Sequence, residues 1–219
     1  MFTVFNDELF NKELPDVIFV VTRRKNVMGH YIYKKFYNKI ENKFEGTDEI
    51  ALNPSMFIKY PLIEICQTMV HEMCHGWQCN FGNPSREAYH NHEWANKMKE
   101  VGLMPSSTGE VGGKQVGQKM SDYPIKGGRF LKVTEELINS DVFSGLYYEI
   151  NPNIVSMIDN NKPLFGQIKN IVATNIEIET KPTYPVKVKY SCSCSSVWGK
   201  PNLDLFCKLC DSDMLPVKK

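Results

Sequence analysis

The stretch HEMCHGWQCNFG, His71 to Gly82, decides how this chain is read. Two histidines stand four residues apart, and a glutamate directly follows the first. On a helix, residues four apart lie one turn apart on the same face, so His71 and His75 can present their imidazoles to one metal ion. Glu72 lies about 100° round the axis, close enough to hold a water at the metal without ligating it. The competing reading is a surface helix with two solvated histidines. The residues upstream argue against it. Pro61 suits a first turn, and Leu62, Ile65, Cys66, Met69, Val70, Met73 and Cys74 recur at helical spacing as an apolar face. The helix carries one other charge, Glu64, and so reads as mostly buried. Two histidines and a glutamate in such a place need partners, and a metal supplies them. Gly76 and Gly82 mark the region where the helix ends.

A catalytic zinc takes three protein ligands and leaves a fourth position open. YHNHEW (Tyr89 to Trp94) follows after the turn FGNPS and opens another helix, about Asn91 to Val101, with Trp94, Ala95, Met98 and Val101 as its buried stripe and Gly102 as its C-cap. His90 is the first candidate for the third ligand, His92 the second and Glu93 the third. His30 reads as a strand histidine with a local hydrogen bond. Trp77 and Trp94 read as core, with Trp94 lining the cleft as the alternative, and Cys66, Cys74 and Cys79 read as small apolar packing residues.

Around this centre the chain is of ordinary globular composition, with 219 residues, 42% hydrophobic and 23% charged, and a net charge of +1 that selects no partner. The length suits one sizeable domain, or one domain and a small appendage. The acidic N-terminal stretch MFTVFNDELFNKELPD has no apolar core of a signal peptide, and no run of about 18 apolar residues exists, so neither secretion nor a membrane span is expected. A cytoplasmic, reducing setting follows as the expectation, and the seven cysteines then read as thiols or metal ligands rather than disulfides.

Asn6 or Asp7 can cap a first helix ending before Pro15. VIFVVT (Val17 to Thr22) reads as a buried strand, GHYIYKKFYN (Gly29 to Asn38) as a second and EIALNP (Glu49 to Pro54) as a short third. Residues 105–129 hold six glycines and two prolines with almost no apolar periodicity, which predicts a long loop. GEVGGKQ within it departs from a phosphate loop, because Gln115 stands where Ser or Thr should bind magnesium and no strand precedes it; a flap is the reading. Tyr123 at its end is a candidate oxyanion donor. TEELINSDVF (Thr134 to Phe143) reads as a capped helix, and IVATNIEIET and YPVKVKY as β-rich runs.

Near the C-terminus, Cys192 and Cys194, then twelve residues, then Cys207 and Cys210 give four thiols in two close pairs. The C-x-x-C pair has knuckle spacing, and the C-x-C pair is one residue tighter. Together they read as a structural zinc site in a small ribbon whose stability the metal supplies. Basic residues Arg23, Arg24, Lys25, Lys34, Lys35, Lys39 and Lys43, interleaved with Tyr31, Tyr33, Phe36 and Tyr37, read as a solvated face that can also contact nucleic acid.

HEMCHGWQ, the later YHNHEWANKM and the phrase IALNP resemble the SprT-like (Spartan-related) zinc metallopeptidases, whose pattern is HExxHxxQ followed by an H-G-x-x-W/F segment. Aligned on Trp94, the third zinc histidine falls on His90, and Asn91 stands at the glycine position. The resemblance implies an α+β, zincin-like minimal metallopeptidase domain over residues 1–130, with a small sheet packed on the HExxH helix. A connecting region (131–185) and a zinc ribbon (186–219) follow. It implies two zinc ions, a catalytic one on His71, His75 and His90 with Glu72 as general base, and a structural one on Cys192, Cys194, Cys207 and Cys210. The implied reaction is peptide-bond hydrolysis on proteins associated with or crosslinked to DNA. The alternative is a catalytically idle nucleic-acid-binding zinc protein.

Overall fold

The computed structural model describes residues 1–86, 89–150, 152–159 and 188–217. In it the chain divides into two units, Met1–Ile171 and Val172–Lys219. The first unit runs through α1 (Phe2–Leu9), β1 (Val17–Val21), β2 (Gly29–Ile40), β3 (Lys43–Leu52), α2 (Pro54–Phe57), α3 (Leu62–Phe81), α4 (His92–Val101), β4 (Leu103–Ser106), β5 (Ser121–Pro124) and α5 (Arg129–Ile138). This is a mixed α+β architecture.

The core forms on the apolar face of α3. Cys66, Met69, Val70, Met73 and Cys74, picked out by the 3.6-residue period, share one cluster with Phe5 and Leu9 of α1, Trp94 and Met98 of α4, and Phe130 and Leu137 of α5. Each large side chain so buried contributes about 1.5–3 kcal/mol relative to exposure. The helix does not end near Gly76 but runs through it to Phe81, with Gly82 as C-cap. A Cβ at Gly76 would lie 3.2 Å from the Tyr31 ring, so the glycine lets β2 lie close against α3.

The sheet has the order β1-β3-β2, with β1 parallel and β2 antiparallel to β3. The run Val17 to Thr22, expected to be a buried strand, instead makes an edge strand with Phe19 50% and Val21 66% exposed. A β-branched run specifies extended backbone but not which neighbours cover it. The third strand starts at Lys43 rather than Glu49, because pairing with β2 extends it across polar residues. The β2–β3 register shifts between Ile32 and Phe36. The buried Asp48 carboxylate sits there, accepting from the Lys34 N–H (2.9 Å), the Tyr31 hydroxyl (2.6 Å) and the Asn80 amide (2.8 Å). These three donors satisfy a buried charge and tie β2 and β3 to α3.

Asn53 makes a comparable knot. Its amide donates to the carbonyls of Arg24 (3.1 Å) and Val27 (2.8 Å), and its oxygen accepts from the N–H (3.2 Å) and hydroxyl (2.7 Å) of Ser55 at the start of α2. Asn53→Ala strands those groups and removes a cap, so it is expected to destabilise the unit by about 2–4 kcal/mol in denaturant unfolding. A loss below about 0.5 kcal/mol, the size of an ordinary surface substitution, would contradict this account.

Asn6 lies inside α1 and does not cap it; its side chain instead exchanges two hydrogen bonds with the backbone of Leu14. The glycine-rich region is more ordered than its composition predicts. β4 and β5 pair antiparallel at its ends, and Gly102, in the left-handed region at φ 102°, turns the chain out of α4 into β4. A Cβ there would meet the Phe130 N–H at 2.7 Å. α5 begins at Arg129, not Thr134, and a separate 3-10 turn covers Asp141–Phe143. The Thr134 side chain is buried, and Phe130, Val133 and Leu137 carry the core past residue 130.

The second unit is described over residues 188–217. β6 (Val188–Ser191), β7 (Ser196–Gly199), β8 (Phe206–Cys207), β9 (Ser212–Asp213) and β10 (Leu215–Pro216) form an antiparallel sheet of order β10-β6-β7 and a β8–β9 pair. Its core is small: Tyr190, Cys207 and Met214. The Tyr190 hydroxyl donates to the Lys200 carbonyl (2.8 Å) and accepts from the Leu203 N–H (2.9 Å). The run IVATNIEIET and the start of YPVKVKY lie outside the described residues, as do residues 151 and 160–185 of the connecting region.

Candidate metal centre

α3 sets His71 and His75 one turn apart, and the chain then turns back to place His90 beside them just before α4. One ring nitrogen from each of the three lies within 4.8 Å of the other two. His75 Nε2 and His90 Nε2 are 3.1 Å apart. Nitrogens sharing a tetrahedral zinc at about 2.0–2.1 Å stand about 3.3 Å from one another, so the donor set fits that ion.

Of the three candidates for a third ligand, the structure brings only His90 to this point. His92 is exposed on α4. The Glu93 carboxylate accepts from the Gln78 amide (2.6 Å) and the Asn83 N–H (2.7 Å), which fastens the turn after α3 to the start of α4. Gln78 also donates to Asn91 Oδ1 (2.7 Å), and that oxygen caps α4 by accepting from the Trp94 N–H. His30 pairs with Glu49 at 3.2 Å, the local hydrogen bond expected of it.

Trp94 is fully buried beneath all three imidazoles, with ring centroids at 4.9 Å to His71, 5.4 Å to His75 and 4.4 Å to His90. It is both core and floor of the site. Cys66 and Cys74 are buried in the core, whereas Cys79 is only partly buried and borders the cleft.

Burial, reinforced by the neighbouring His71 and His90, holds His75 well below the ordinary imidazole range. Burial likewise takes His90 down to about 4. Both therefore offer neutral imidazoles at neutral pH. At His71 burial also disfavours charge, but the Asp122 and Glu72 carboxylates outweigh it and raise the pKa. Burial raises Glu72 above the usual carboxylate range, and the cation of a protonated His71 pulls the other way.

The histidines and Glu72 border a cleft of about 1290 Å³, walled by residues 28–33 around β2 on one side and by residues 118–124 on the other. Tyr123 borders it too, paired with Met104 across the β4–β5 ladder. Sequence reasoning missed two groups here. Asp122 Oδ2 lies 3.0 Å from His71 Nδ1, and the Gly117 carbonyl lies 3.2 Å from His90 Nδ1. No spacing rule links a carboxylate to a histidine 51 positions away, so only the fold reveals the pair.

In the second unit the sulfurs of Cys192, Cys194, Cys207 and Cys210 lie within 4.8 Å of one another. Cys192–Cys194 is 3.7 Å and Cys194–Cys207 3.5 Å, near the roughly 3.8 Å between thiolates sharing a tetrahedral zinc. The N–H groups of Cys210 and Leu209 lower the Cys207 thiol. The Ser212 hydroxyl, foremost among several donors, takes Cys210 down to about 6. Cys194 rises to about 12 through hydrogen bonds with Cys210 first, then Cys207 and Cys192. The knuckle thus presents thiolate character ready for a cation.

Among the described residues, no helix is long and apolar enough to cross a membrane. The SprT-like family model matches residues 1–112, which span α1 to β4 and include His71, Glu72, His75 and His90. No curated protein and no solved structure matches the chain.

Proposed function

The chain belongs to the SprT-like family, and from that premise we propose that it is a zinc metallopeptidase holding its catalytic ion on His71, His75 and His90. The observation that carries this reading is the convergence of three imidazoles on one point, with a buried glutamate on the same cleft. The first unit is read as a zincin-like domain built on α3, and the second as a zinc ribbon held by its four cysteines.

His71, His75 and His90 would hold a zinc ion, which would supply Lewis acidity toward the scissile carbonyl and a water. Glu72 removes the proton of the attacking water and returns it to the leaving amine. β2 is an edge strand bordering the cleft, so a substrate segment in extended form can lie along it. Trp94 keeps the imidazoles from swinging away from the ion.

For substrate class, the reading is proteins held on DNA. Its support is the resemblance together with the β2–β3 hairpin, where exposed Lys35, Lys39 and Lys43 accompany Tyr37 (62% exposed) and Phe44 (70% exposed). The same hairpin would serve an idle nucleic-acid-binding protein, and one experiment separates the two. Purified full-length protein, loaded with zinc, is expected to cleave casein or itself, faster with DNA present. Chelation stops cleavage and added zinc restores it, and diffraction at the zinc edge puts an ion at His71, His75 and His90. Retardation of DNA on gels with no cleavage under any metal condition favours the idle protein. Cleavage indifferent to DNA, with no retardation, leaves a peptidase of free peptides.

A further inference from the structure

We propose that Asp122 is a positioning residue for the histidine site, with Gln67 holding Asp122 in place; this rests on the metallopeptidase reading above. Two of the three imidazoles have their Nδ1 taken by an acceptor from one short segment. The Asp122 carboxylate accepts from His71 Nδ1 (3.0 Å), and the Gly117 carbonyl faces His90 Nδ1 (3.2 Å). A carbonyl oxygen can only accept, so the Nδ1 of His90 carries the proton and its Nε2 keeps a lone pair. The Asp122 oxygen engages Nδ1 of His71 in the same way. Each contact therefore leaves the opposite nitrogen free for a cation and fixes the ring's rotation about its bonds.

The segment is itself restrained. Gln67, one turn before His71 on α3, donates from its amide to Asp122 Oδ1 (3.1 Å) and to the Asp122 carbonyl (3.3 Å). Asp122 pairs with Pro105 in the β4–β5 ladder, and Gly117 exchanges both backbone hydrogen bonds with His90. The carboxylate is thus held from two sides, and one oxygen is left for His71. Both Gly117 and Asp122 lie beyond the residues that the family model matches. The glycine-rich stretch accordingly acts as a clasp that orients ligands, in addition to walling the cleft.

The test is zinc affinity of the full-length protein, measured by competition with a chromophoric chelator. His75→Ala first identifies which bound equivalent belongs to the histidines. Asp122→Ala is expected to weaken that equivalent about 10–100-fold while leaving the cysteine-bound equivalent unchanged. Asp122→Asn, which keeps an oxygen in place, recovers part of the loss. Gln67→Ala gives a smaller loss in the same direction. In cobalt-substituted protein, Asp122→Ala also shifts the visible bands of the histidine site. An unchanged affinity, a loss shared equally by both equivalents, or no recovery with Asn overturns the proposal. If His75→Ala removes no equivalent, the metallopeptidase reading has failed, and that is seen before any Asp122 variant is made.

Discussion

Glu72→Gln is expected to keep both metals and lose peptide hydrolysis by at least 10²–10⁴-fold, the range general acid–base catalysis supplies. Gln fills the same volume, so the packing of α3 against β2 is retained. It can donate and accept hydrogen bonds but cannot take up a proton from water near neutral pH, which removes the one step assigned to this side chain. A further signature separates this from misfolding. In the metal-free protein, burial raises the Glu72 pKa above its unfolded value. The folded state then holds its proton more tightly than the unfolded state. The Glu72 contribution to stability is fully present below the ordinary carboxylate pKa and is lost as pH rises through the raised one. Metal-free Glu72→Gln protein, which has no such ionisation, should therefore gain stability relative to wild type as pH climbs from about 4.5. Kinetics on casein, zinc content and paired melts across pH give all three readouts. Full activity in the variant would remove Glu72 from the chemistry, and loss of zinc would make it a ligand instead.

Cys207→Ser should have the largest effect on folding. Among the described residues of the second unit, the buried hydrophobic cluster is Tyr190, Cys207 and Met214, with Val188, Cys192, Leu205 and Cys210 partly buried against them. So small a core supplies too little apolar burial to offset chain entropy. Structural zinc in modules of this size supplies about 10–16 kcal/mol of apparent binding free energy at neutral pH, and that free energy is folding free energy. The variant is expected to bind one zinc equivalent in place of two. Its amide resonances from residues 188–217 should collapse to the unfolded range while those of the first unit stay dispersed. Chelation of the wild-type protein should reproduce the collapse. Two equivalents retained in Cys207→Ser, or dispersed resonances in the fully chelated protein, would mean that the cysteines do not hold the unit together.

How much of this was legible from residues alone differs by element. The apolar positions of α3 from Ile65 to Cys74, those of α4 and the Gly102 cap follow from local periodicity and backbone preference and stand in the structure as read, whereas Leu62 is only partly buried and lies outside the core cluster. The edge position of β1 does not follow from local preference, because its place is chosen by a partner distant in sequence, and the extension of β3 to Lys43 does not either, because the β2–β3 ladder runs on across polar residues that carry no apolar alternation. Thr134 shows the same limit inside a helix. A threonine ahead of two glutamates reads as a cap, yet α5 starts five residues earlier because Phe130 has a place in the core beside Phe5, with ring centroids 6.0 Å apart. Gly76 and Gly82 read together as the end of α3; Gly82 is the cap, yet Gly76 lies inside the helix, where the Tyr31 ring makes it a contact point.

What the sequence determined by itself is the chemistry on offer: two imidazoles and a carboxylate on one helix, and four thiols in two close pairs. Helical pitch and residue spacing are local properties, so the histidine pair and each cysteine pair are already close along the chain before the fold is complete. The sequence ranked His90 ahead of His92 and Glu93, and the tertiary structure brought it to the other two imidazoles; only the tertiary structure set Trp94 beneath the three rings and carried Asp122 to His71 across 51 positions. Those choices depend on which surfaces find one another when the core closes. That is a balance of burial and backbone pairing over the whole unit, and no short stretch of residues contains it.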